Sequence, residues 1–535
     1  MRVVAMKKGC WFSAIGCLVL AVGTASAEEP CERLSSVKIA DTTITLAETV
    51  AAGTFHGPPA SFTGTDISWL YKSLPEFCRV IAEAKPTSDS DIKMEVWLPT
   101  SGWNGKLQGA GNGGFAGQID DMQLALAVKA GYAATATDTG HAGNPGDAAW
   151  AKGHPEKIVD FGHRGIHEMT RVSKALVQTY YAKAPQRSYF AGCSDGGREA
   201  LMEAQRYPED YDGILAGAPA NYWTRLQTLA AGDTQALTLD AASFIPATKI
   251  PAIAAAVNAA CDEKDGVKDG ILNDPRECKF DPAVIQCKAG EESDKCLTAS
   301  QIATLNQIYA GLSDSHGHSL FPGYLPGAEE GPGGWGMWIT GRVPGTGVIA
   351  FISKGYFSNF VYEKPDWDFK SFNVDAALKA AEEKTAAALN AIDPDLSKFQ
   401  ARGGKLILYH GWNDPAIPAL NTVNYYESVV AKMGRKDAES FVRLYMVPGM
   451  QHCGGGPGAD SFGWVGTSDP THSMNAALER WVEKGIAPGT IIASKHERGD
   501  WLHSTMTRPL CVYPLAAKYK GSGDTNDAAN FTCQK

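Results

Sequence analysis

A serine flanked by glycines lies in the stretch that most constrains the fold of this chain, residues 189–197, which read Tyr-Phe-Ala-Gly-Cys-Ser-Asp-Gly-Gly. A short apolar run ends at Gly192, Ser194 follows two residues later, and helix-forming residues begin at Arg198. Because the turn is tight and the serine backbone is strained, a Cβ atom at Gly192 or Gly196 would collide with the neighbouring strand or helix. In this strand–turn–helix setting the pattern predicts a nucleophile elbow with Ser194 as the nucleophile.

Predicted strands alternate with predicted helices on both sides of this elbow. Runs of apolar or alternating residues predict strands at 92–98, 105–108, 133–137, 189–191, 213–216, 405–410 and 441–447. Helical spacing predicts helices over 166–181, 198–205 and 474–484. Such alternation is typical of a parallel sheet flanked by helices, so we expect an α/β fold.

The length of 535 residues suggests two domains, or one domain with an insertion. Composition changes after residue 221, where four cysteines, glycine–proline loops and many aromatic side chains follow up to about residue 394. We therefore expect an inserted domain at 221–394, between a first part of the main domain at 28–220 and a second part at 395–535. The start of the main domain, up to about Pro86, has little periodicity and is expected to be loop-rich and exposed.

The N-terminus has the composition of an export signal. Three basic residues among the first eight precede an apolar run over 11–22, and the small residues at 25–27 predict cleavage before Glu28. The run is too short to span a bilayer comfortably, and we expect no later segment to be long and apolar enough to do so. A signal peptide at 1–27 predicts a secreted or periplasmic protein.

Charge and cysteine content agree with this location. The net charge of −10 argues against nucleic acid or an anionic membrane surface as the main partner. Two of the 12 cysteines, Cys10 and Cys17, lie in the signal, which leaves ten in the mature chain. An even number in an exported chain is typical of disulfides, and the chain has no Cys-x-x-Cys knuckle of the kind that zinc sites use.

Three residues could form a catalytic triad. Acyl transfer by a serine requires a base, an acid that orients the base, and donors for the oxyanion. Ser194, Asp414 and His452 each follow a predicted strand and occur in the chain order of α/β-hydrolases. On these residues alone, Asp414 could be a turn residue before Pro415, and His452 could be a loop histidine without a special role. The glycine-rich stretch 109–115 could supply oxyanion donors or be a flexible turn, and it lacks the Lys-Ser/Thr ending of a phosphate loop.

Two cysteines adjoin the candidate nucleophile and base. Cys193 directly precedes Ser194, and Cys453 directly follows His452. A disulfide between them would join loops about 260 residues apart in sequence and would tie the nucleophile to the base. This double adjacency favours the catalytic interpretation.

These residues resemble a known family. The segment 192–196, Asp414 after the strand end at 409–412, and the pair His452 and Cys453 are similar to the Cys-Ser…Asp…His-Cys arrangement of the tannase/feruloyl esterase family, which includes bacterial mono(2-hydroxyethyl) terephthalate hydrolases. The resemblance extends over nearly the whole mature chain. It implies an α/β-hydrolase fold with a large inserted lid domain at 221–394.

The resemblance also implies roles for individual residues. Ser194 would be the nucleophile, His452 the general base and acid, and Asp414 the orienting carboxylate. The oxyanion hole would consist of the backbone N–H of Asp195 and that of either Gly113 or Gly114. The disulfides implied by analogy are Cys31–Cys78, Cys193–Cys453, Cys261–Cys278, Cys287–Cys296 and Cys511–Cys533.

An acidic stretch in the lid, residues 262–271, is a candidate calcium site. Calcium prefers hard oxygen ligands, but the spacing departs from that of an EF-hand loop, and an acidic solvated turn is the alternative interpretation. Lids of the family bind a structural calcium through three aspartates and two backbone carbonyls. By resemblance these ligands would be Asp262, Asp265, Asp269, Val267 and Ile271. The ion would stabilise the lid and take no direct part in catalysis.

The aromatic side chains of the expected lid could belong to its core, or a subset of them could line an acyl pocket. Aromatic rings stack well on an aromatic acyl group, and the candidates are Trp335, Trp338, Phe357 and Phe360. A terephthalate monoester would also require a cation for its free carboxylate, and the nearby candidates are Arg342 and Lys354.

We therefore expect a secreted serine hydrolase that cleaves esters of aromatic acids, such as feruloyl or galloyl esters, through an acyl-enzyme. The alternatives are a mono(2-hydroxyethyl) terephthalate hydrolase and a catalytically silent protein that binds phenolics. The expected partner is a small aromatic ester, with neither nucleic acid nor a membrane as partner.

Overall fold

The computed structural model describes residues 29–60, 64–291, 293–463, 465–497 and 503–535. The predicted signal peptide at 1–27 lies outside the described residues, so it stays a prediction.

A nine-stranded sheet forms the centre of the main domain. The strands of the described chain are β1 Thr42–Val50, β2 Phe77–Ala84, β3 Ile92–Pro99, β4 Lys106–Ala110, β5 Ala133–Thr137, β6 Arg187–Cys193, β7 Gly213–Gly217, β8 Leu312–Ser313, β9 Ser319–Phe321, β10 Lys405–Gly411, β11 Val442–Val447, β12 Ile491–His496, β13 Ser504–Leu510, β14 Ala516–Tyr519 and β15 Phe531–Gln534. The order in the large sheet is β1-β2-β3-β5-β4-β6-β7-β10-β11. The pairs from β1 to β5 are antiparallel, and those from β5 through β4 to β11 are parallel. Because parallel strands end at the same edge, the loops after β4, β6, β10 and β11 lie close together.

Helices cover both faces of this sheet and build the insertion. The α-helices are α1 Ser68–Tyr71, α2 Asp121–Lys129, α3 Pro155–Val159, α4 Gly165–Tyr180, α5 Asp195–Arg206, α6 Trp223–Thr238, α7 Ile250–Cys261, α8 Ala299–Ala310, α9 Trp335–Trp338, α10 Val348–Tyr356, α11 Val374–Leu389, α12 Ser397–Ala401, α13 Ala419–Met433, α14 Arg435–Phe441 and α15 Met474–Lys484. Alternation along the strands gives each face of the sheet its own core. On β6, Phe190 packs with α4, α5 and α13, whereas Tyr189 packs with α2 and α15.

The segment between β7 and β10 leaves the sheet and forms a separate core of α6 to α11. Leu229, Ile253, Leu305 and Tyr356 are buried in this core. Phe115, from the loop after β4, packs in the same core, so the insertion covers the carboxyl edge of the sheet.

The prediction of a loop-rich start was wrong, because β1 and β2 extend the main sheet. Polar side chains on these two strands explain why the sequence pattern did not predict them. Arg79 of β2 donates to Glu95 of β3 at 2.8 and 2.6 Å, and Thr45 of β1 donates to a β2 carbonyl. Ion pairs across strands and threonines on a half-exposed sheet hide the apolar alternation that marks a strand.

The expectation about membrane-spanning segments also requires correction. By length and composition alone, the helical stretch Ala241–Asp265 could cross a membrane. Core helices of globular proteins meet the same criterion, and Ile250, Ile253 and Val257 of this stretch are buried in the lid core.

The part of the chain that the structure describes contains five disulfides, and they join the pairs that the family resemblance implies. They are Cys31–Cys78, Cys193–Cys453, Cys261–Cys278, Cys287–Cys296 and Cys511–Cys533.

Candidate active site

Ser194 sits at a strained turn between β6 and α5. Its φ is +66° and its ψ is −121°, a conformation that projects the side chain away from the sheet edge. A Cβ atom at Gly192 would lie 2.5 Å from the carbonyl oxygen of Gly196, and one at Gly196 would lie 2.8 Å from that of Asn112. Both glycines are therefore required by close backbone contacts, as the sequence pattern predicts.

The structure brings the three predicted triad residues into one hydrogen-bonded chain. The Oγ atom of Ser194 lies 2.9 Å from Nε2 of His452, and Nδ1 of His452 lies 2.7 Å from Oδ2 of Asp414. His452 follows β11, and Asp414 follows β10, so three parallel strands deliver the three side chains to one edge. The arrangement can activate a hydroxyl group by removing its proton.

Asp414 is held as a charged acceptor. Its Oδ1 atom accepts the N–H groups of Ala416 and Ile417 at 2.8 and 2.9 Å. Burial alone would raise the pKa of Asp414, but the charge on His452 and hydrogen bonds from His410 and His452 outweigh burial and hold that pKa below its usual range.

His410 is a further site residue, and it contacts the carboxylate of Asp414. Its Nε2 atom lies 3.2 Å from Oδ2 of Asp414 and 3.0 Å from the carbonyl oxygen of Ile417, while Nδ1 contacts Thr422 Oγ1 at 2.7 Å. The ring is fully buried and contacts the same carboxylate oxygen of Asp414 as His452 does. Its position four residues before Asp414 is the only sequence signal for this contact.

The loop after β4 lies against the elbow and offers oxyanion donors. The N–H of Gly196 donates to the carbonyl of Asn112 at 2.8 Å, and a Cβ atom at Gly111 would lie 2.8 Å from the Cα of Gly196. Within the described chain, the N–H groups of Asp195, Gly113 and Gly114 have no backbone acceptor outside regular helices and strands. The loop that carries Gly113 and Gly114 thus lies against the elbow through Gly111 and Asn112, and the pairing of Asp195 with one of these two glycines as oxyanion donors stays a prediction.

Buried carboxyl groups support this loop from α5. Oε2 of Glu199 accepts the N–H of Asn112 at 2.8 Å, and Oδ1 of Asp195 accepts Nε of Arg198 at 2.6 Å. Burial, followed by the charge of Asp195, raises the pKa of Glu199 to about 8. A neutral carboxyl therefore holds the oxyanion loop at neutral pH. The sequence shows these residues only as polar positions in a helix.

One of the four predicted aromatic residues contacts the triad. The ring of Trp338 lies 4.8 Å from that of His452 in an edge-to-face arrangement, and its side chain is half-buried. Trp335, Phe357 and Phe360 have exposed fractions of 1%, 0% and 2% and lie in the lid core. Phe360 stacks on Phe115 with ring centroids 5.4 Å apart, directly after the oxyanion loop.

The two cations considered for a free carboxylate, Arg342 and Lys354, are both exposed on the lid. In the described part of the chain, neither cation takes part in the hydrogen bonds and ion pairs of Asp414 and His452.

The acidic stretch of the lid forms a compact turn. Oδ1 of Asp262 accepts the N–H of Gly270 at 2.9 Å, and the two oxygens of Asp265 accept N–H groups at 3.0 and 3.1 Å. Burial, and then the charges of Asp269 and Asp262, raise the pKa of Asp265 to about 6. Asp269 is paired with Arg508 at 2.7 Å. Carboxylate oxygens are donors that suit a hard cation. In the described ranges, however, no group of three or more His, Cys, Asp or Glu side chains is assembled closely enough to hold a metal ion.

An α/β sheet with a strained serine elbow, an imidazole and a buried carboxylate in that chain order defines a serine hydrolase of the α/β-hydrolase class. Residues 78–534 match the family described as Tannase and feruloyl esterase. The chain belongs to this family and is a carboxylic ester hydrolase.

Relatives of known name cover most of the chain. An uncharacterized esterase of Xanthomonas campestris pv. campestris is 42% identical over 97% of this chain and 93% of its own. The mono(2-hydroxyethyl) terephthalate hydrolase of Piscinibacter sakaiensis is 34% identical over 86% of this chain and 85% of its own. The crystal structure of feruloyl esterase B from Aspergillus oryzae superposes with a TM-score of 0.84 at 28% identity, covering 94% of this chain and 99% of that one.

Proposed function

We propose that this esterase hydrolyses esters of aromatic, phenolic acids such as ferulic or gallic acid. The observation that carries the proposal is the ring of Trp338 at 4.8 Å from that of His452, because it places a flat aromatic wall beside the catalytic base. An aromatic acyl group stacks favourably on such a wall, and tannase and feruloyl esterase relatives support the same substrate class.

The reaction proceeds through an acyl-enzyme. His452 Nε2 takes the proton of Ser194 as Oγ bonds to the ester carbonyl carbon, and the carbonyl electron pair moves to the oxygen, where backbone N–H groups bind it. Collapse of this intermediate breaks the bond to the alcohol, which leaves with the proton from His452. Water then adds to the acyl-enzyme, gives a proton to His452, and the acid leaves as Ser194 regains that proton.

A panel of methyl ferulate, methyl gallate and mono(2-hydroxyethyl) terephthalate tests the substrate class. We expect turnover of at least one of the two phenolic esters, and its loss in Ser194→Ala. Terephthalate monoester as the only substrate would overturn the phenolic assignment and favour the activity named for the Piscinibacter relative. Failure of a fluorophosphonate to label Ser194, with no turnover, would instead favour a protein that only binds phenolics.

We also propose a structural calcium ion in the lid. Asp262, Asp265 and Asp269 with the carbonyls of Val267 and Ile271 would hold it. The charges of Asp269 and Asp262, which help to raise the pKa of Asp265, support the assignment. The ion would stabilise the lid and supply no chemistry to the ester.

Export to the periplasm or beyond the cell is part of the same proposal. The basic and apolar composition of residues 1–27 and the five disulfides support it. Fractionation of cells that express the full chain tests this location, and retention of the unprocessed chain in the cytoplasm would contradict it.

A further inference from the structure

The residues directly before the catalytic acid and the catalytic base bind the same segment of the lid. Nδ2 of Asn413, which precedes Asp414, donates to the carbonyl of Pro326 at 3.0 Å. Nε2 of Gln451, which precedes His452, donates to the carbonyls of Ala328 and Glu330 at 2.7 and 2.8 Å. Two side-chain amides thus make three hydrogen bonds to residues 326–330.

The two amides approach two glycines of the lid closely. A Cβ atom at Gly327, whose φ is +108°, would lie 2.8 Å from Nδ2 of Asn413. One at Gly333 would lie 2.9 Å from Oε1 of Gln451. Asn413 and Gln451 are only 4% and 1% exposed, so these amides are shielded from water and their loss would leave lid carbonyls without donors.

The bound segment leads directly to the aromatic wall. Glu329 accepts the N–H of Gly327 at 2.7 Å and the hydroxyl of Tyr309 at 2.8 Å, which fixes the turn from within the lid. The carbonyl of Glu329 then accepts the N–H of Trp335 at 2.8 Å, at the start of α9. The other end of α9 is Trp338.

A cavity of about 420 Å³ lies beside these hydrogen bonds and is lined by Ala254, Asn258, Ala328, Glu330 and Gln451, among others. The hydrogen bonds of the amides therefore bridge a part of the interface that is not filled by side chains.

We propose that Asn413 and Gln451 form a latch that holds lid residues 326–338 over the active site and so positions Trp338 beside His452. The latch acts on binding of the aromatic acyl group, and this part of the proposal rests on the proposed function. Both are positioning residues, since neither is placed to touch the reacting atoms.

The variant Gln451→Met tests the latch, because methionine keeps the length of the side chain and lacks the donor. Gln235→Met is the matched control, since Nε2 of Gln235 also donates to two carbonyls, those of Phe369 and Phe372 at 2.8 and 3.0 Å, but within the lid. Deuterium exchange of peptides from 326–338 should speed up about tenfold in Gln451→Met and stay unchanged in the control. KM for methyl ferulate should rise about tenfold, whereas kinetics with 4-nitrophenyl acetate, which has no aromatic acyl group, should change less than about twofold.

Unchanged exchange in Gln451→Met, or equal losses with the two esters, would overturn the latch. The exchange measurement needs no substrate, so it stands even if wild-type protein fails to hydrolyse methyl ferulate, which would refute the proposed function alone. If Gln451→Met does not fold, Gly333→Ala displaces the same amide. Its control is Gly336→Ala, whose Cβ atom would meet only Ala247 at 3.6 Å.

Discussion

Cys193 and Cys453 form a disulfide that joins the residue before Ser194 to the residue after His452, with their Cα atoms 6.1 Å apart. The two loops come from strands separated by β7 and β10 in the sheet, so the sheet alone does not fix their distance. The covalent link limits how far Oγ of Ser194 can move from Nε2 of His452, which lie 2.9 Å apart.

Replacing both cysteines by alanine is expected to lower kcat by about tenfold or more, because small displacements of a nucleophile and its base are costly to rate. Chain entropy for a loop of 260 residues amounts to about 5.6 kcal/mol, which bounds the loss of stability from above. Steady-state kinetics and urea unfolding measure the two effects. The control removes Cys511 and Cys533, which bridge the tail, and should lower stability with kcat unchanged. Wild-type kcat in the first variant would refute a catalytic role for the disulfide.

The features that could be predicted from sequence are those that backbone geometry and chain order impose. Gly192 and Gly196 predicted the elbow because their neighbours leave no room for a Cβ atom. The predicted strand at 133–137 and helix at 474–484 have the observed bounds, since both are continuous apolar or periodic runs.

What could not be predicted depends on the orientation of side chains in three dimensions. Nothing in the sequence distinguished the four lid aromatics from one another. Of these four, only Trp338 contacts the triad, because the others are buried in the lid core. His410 gave no signal beyond its spacing from Asp414. The amide of Gln451 gained its role only when lid residues 328–330, more than a hundred positions away, were brought to it.

Trp338→Leu is expected to raise KM for an aromatic ester about tenfold, because leucine fills part of the space but loses ring stacking worth about 1 kcal/mol together with buried area. The value of kcat should change less, since the hydrogen bonds of His452 do not involve the tryptophan. Phe351→Leu serves as the control, because Phe351 is a lid aromatic that is 58% exposed. If Trp338→Leu left KM unchanged for every aromatic ester, the wall would have to lie elsewhere.

If the lid holds calcium as proposed, removal of the ion will lower the melting temperature. Binding to the folded state alone contributes about 2.7 kcal/mol when free calcium is a hundred times Kd. Calorimetry with a chelator and after re-addition of calcium measures this contribution, with magnesium as the control ion.

The stability of Asp265→Asn relative to wild type should depend on whether calcium is present. With calcium the variant should be less stable than wild type, because it lacks a charged ligand. With chelator it should be at least as stable, because the repulsion from Asp262 and Asp269 is relieved. A variant that is less stable by the same amount in both conditions would indicate an acidic turn and no ion.

Glu199→Gln is expected to make stability less dependent on pH. The pKa of Glu199 is raised from 4.5 to about 8, so between these values the folded protein keeps a proton that the unfolded chain has released. The contribution of protonated Glu199 to the free energy of unfolding is therefore fully present below pH 4.5. It is lost as pH rises through 8, by about 1.4 kcal/mol per pH unit. Glutamine does not ionise and keeps an oxygen to accept the N–H of Asn112. Urea unfolding at pH 5 and pH 8 should thus show a smaller fall in the free energy of unfolding for Glu199→Gln than for wild type.

Two further variants separate this titration from other effects. Glu383→Gln changes an exposed glutamate, and its free energy of unfolding should fall between pH 5 and pH 8 as much as that of wild type. Glu199→Ala also removes the ionisable group, but it leaves the N–H of Asn112 without an acceptor. Because that N–H orients the loop of Gly113 and Gly114, kcat should fall in Glu199→Ala and be retained in Glu199→Gln. Equal kcat in both variants would mean that the oxyanion loop holds its shape without this hydrogen bond.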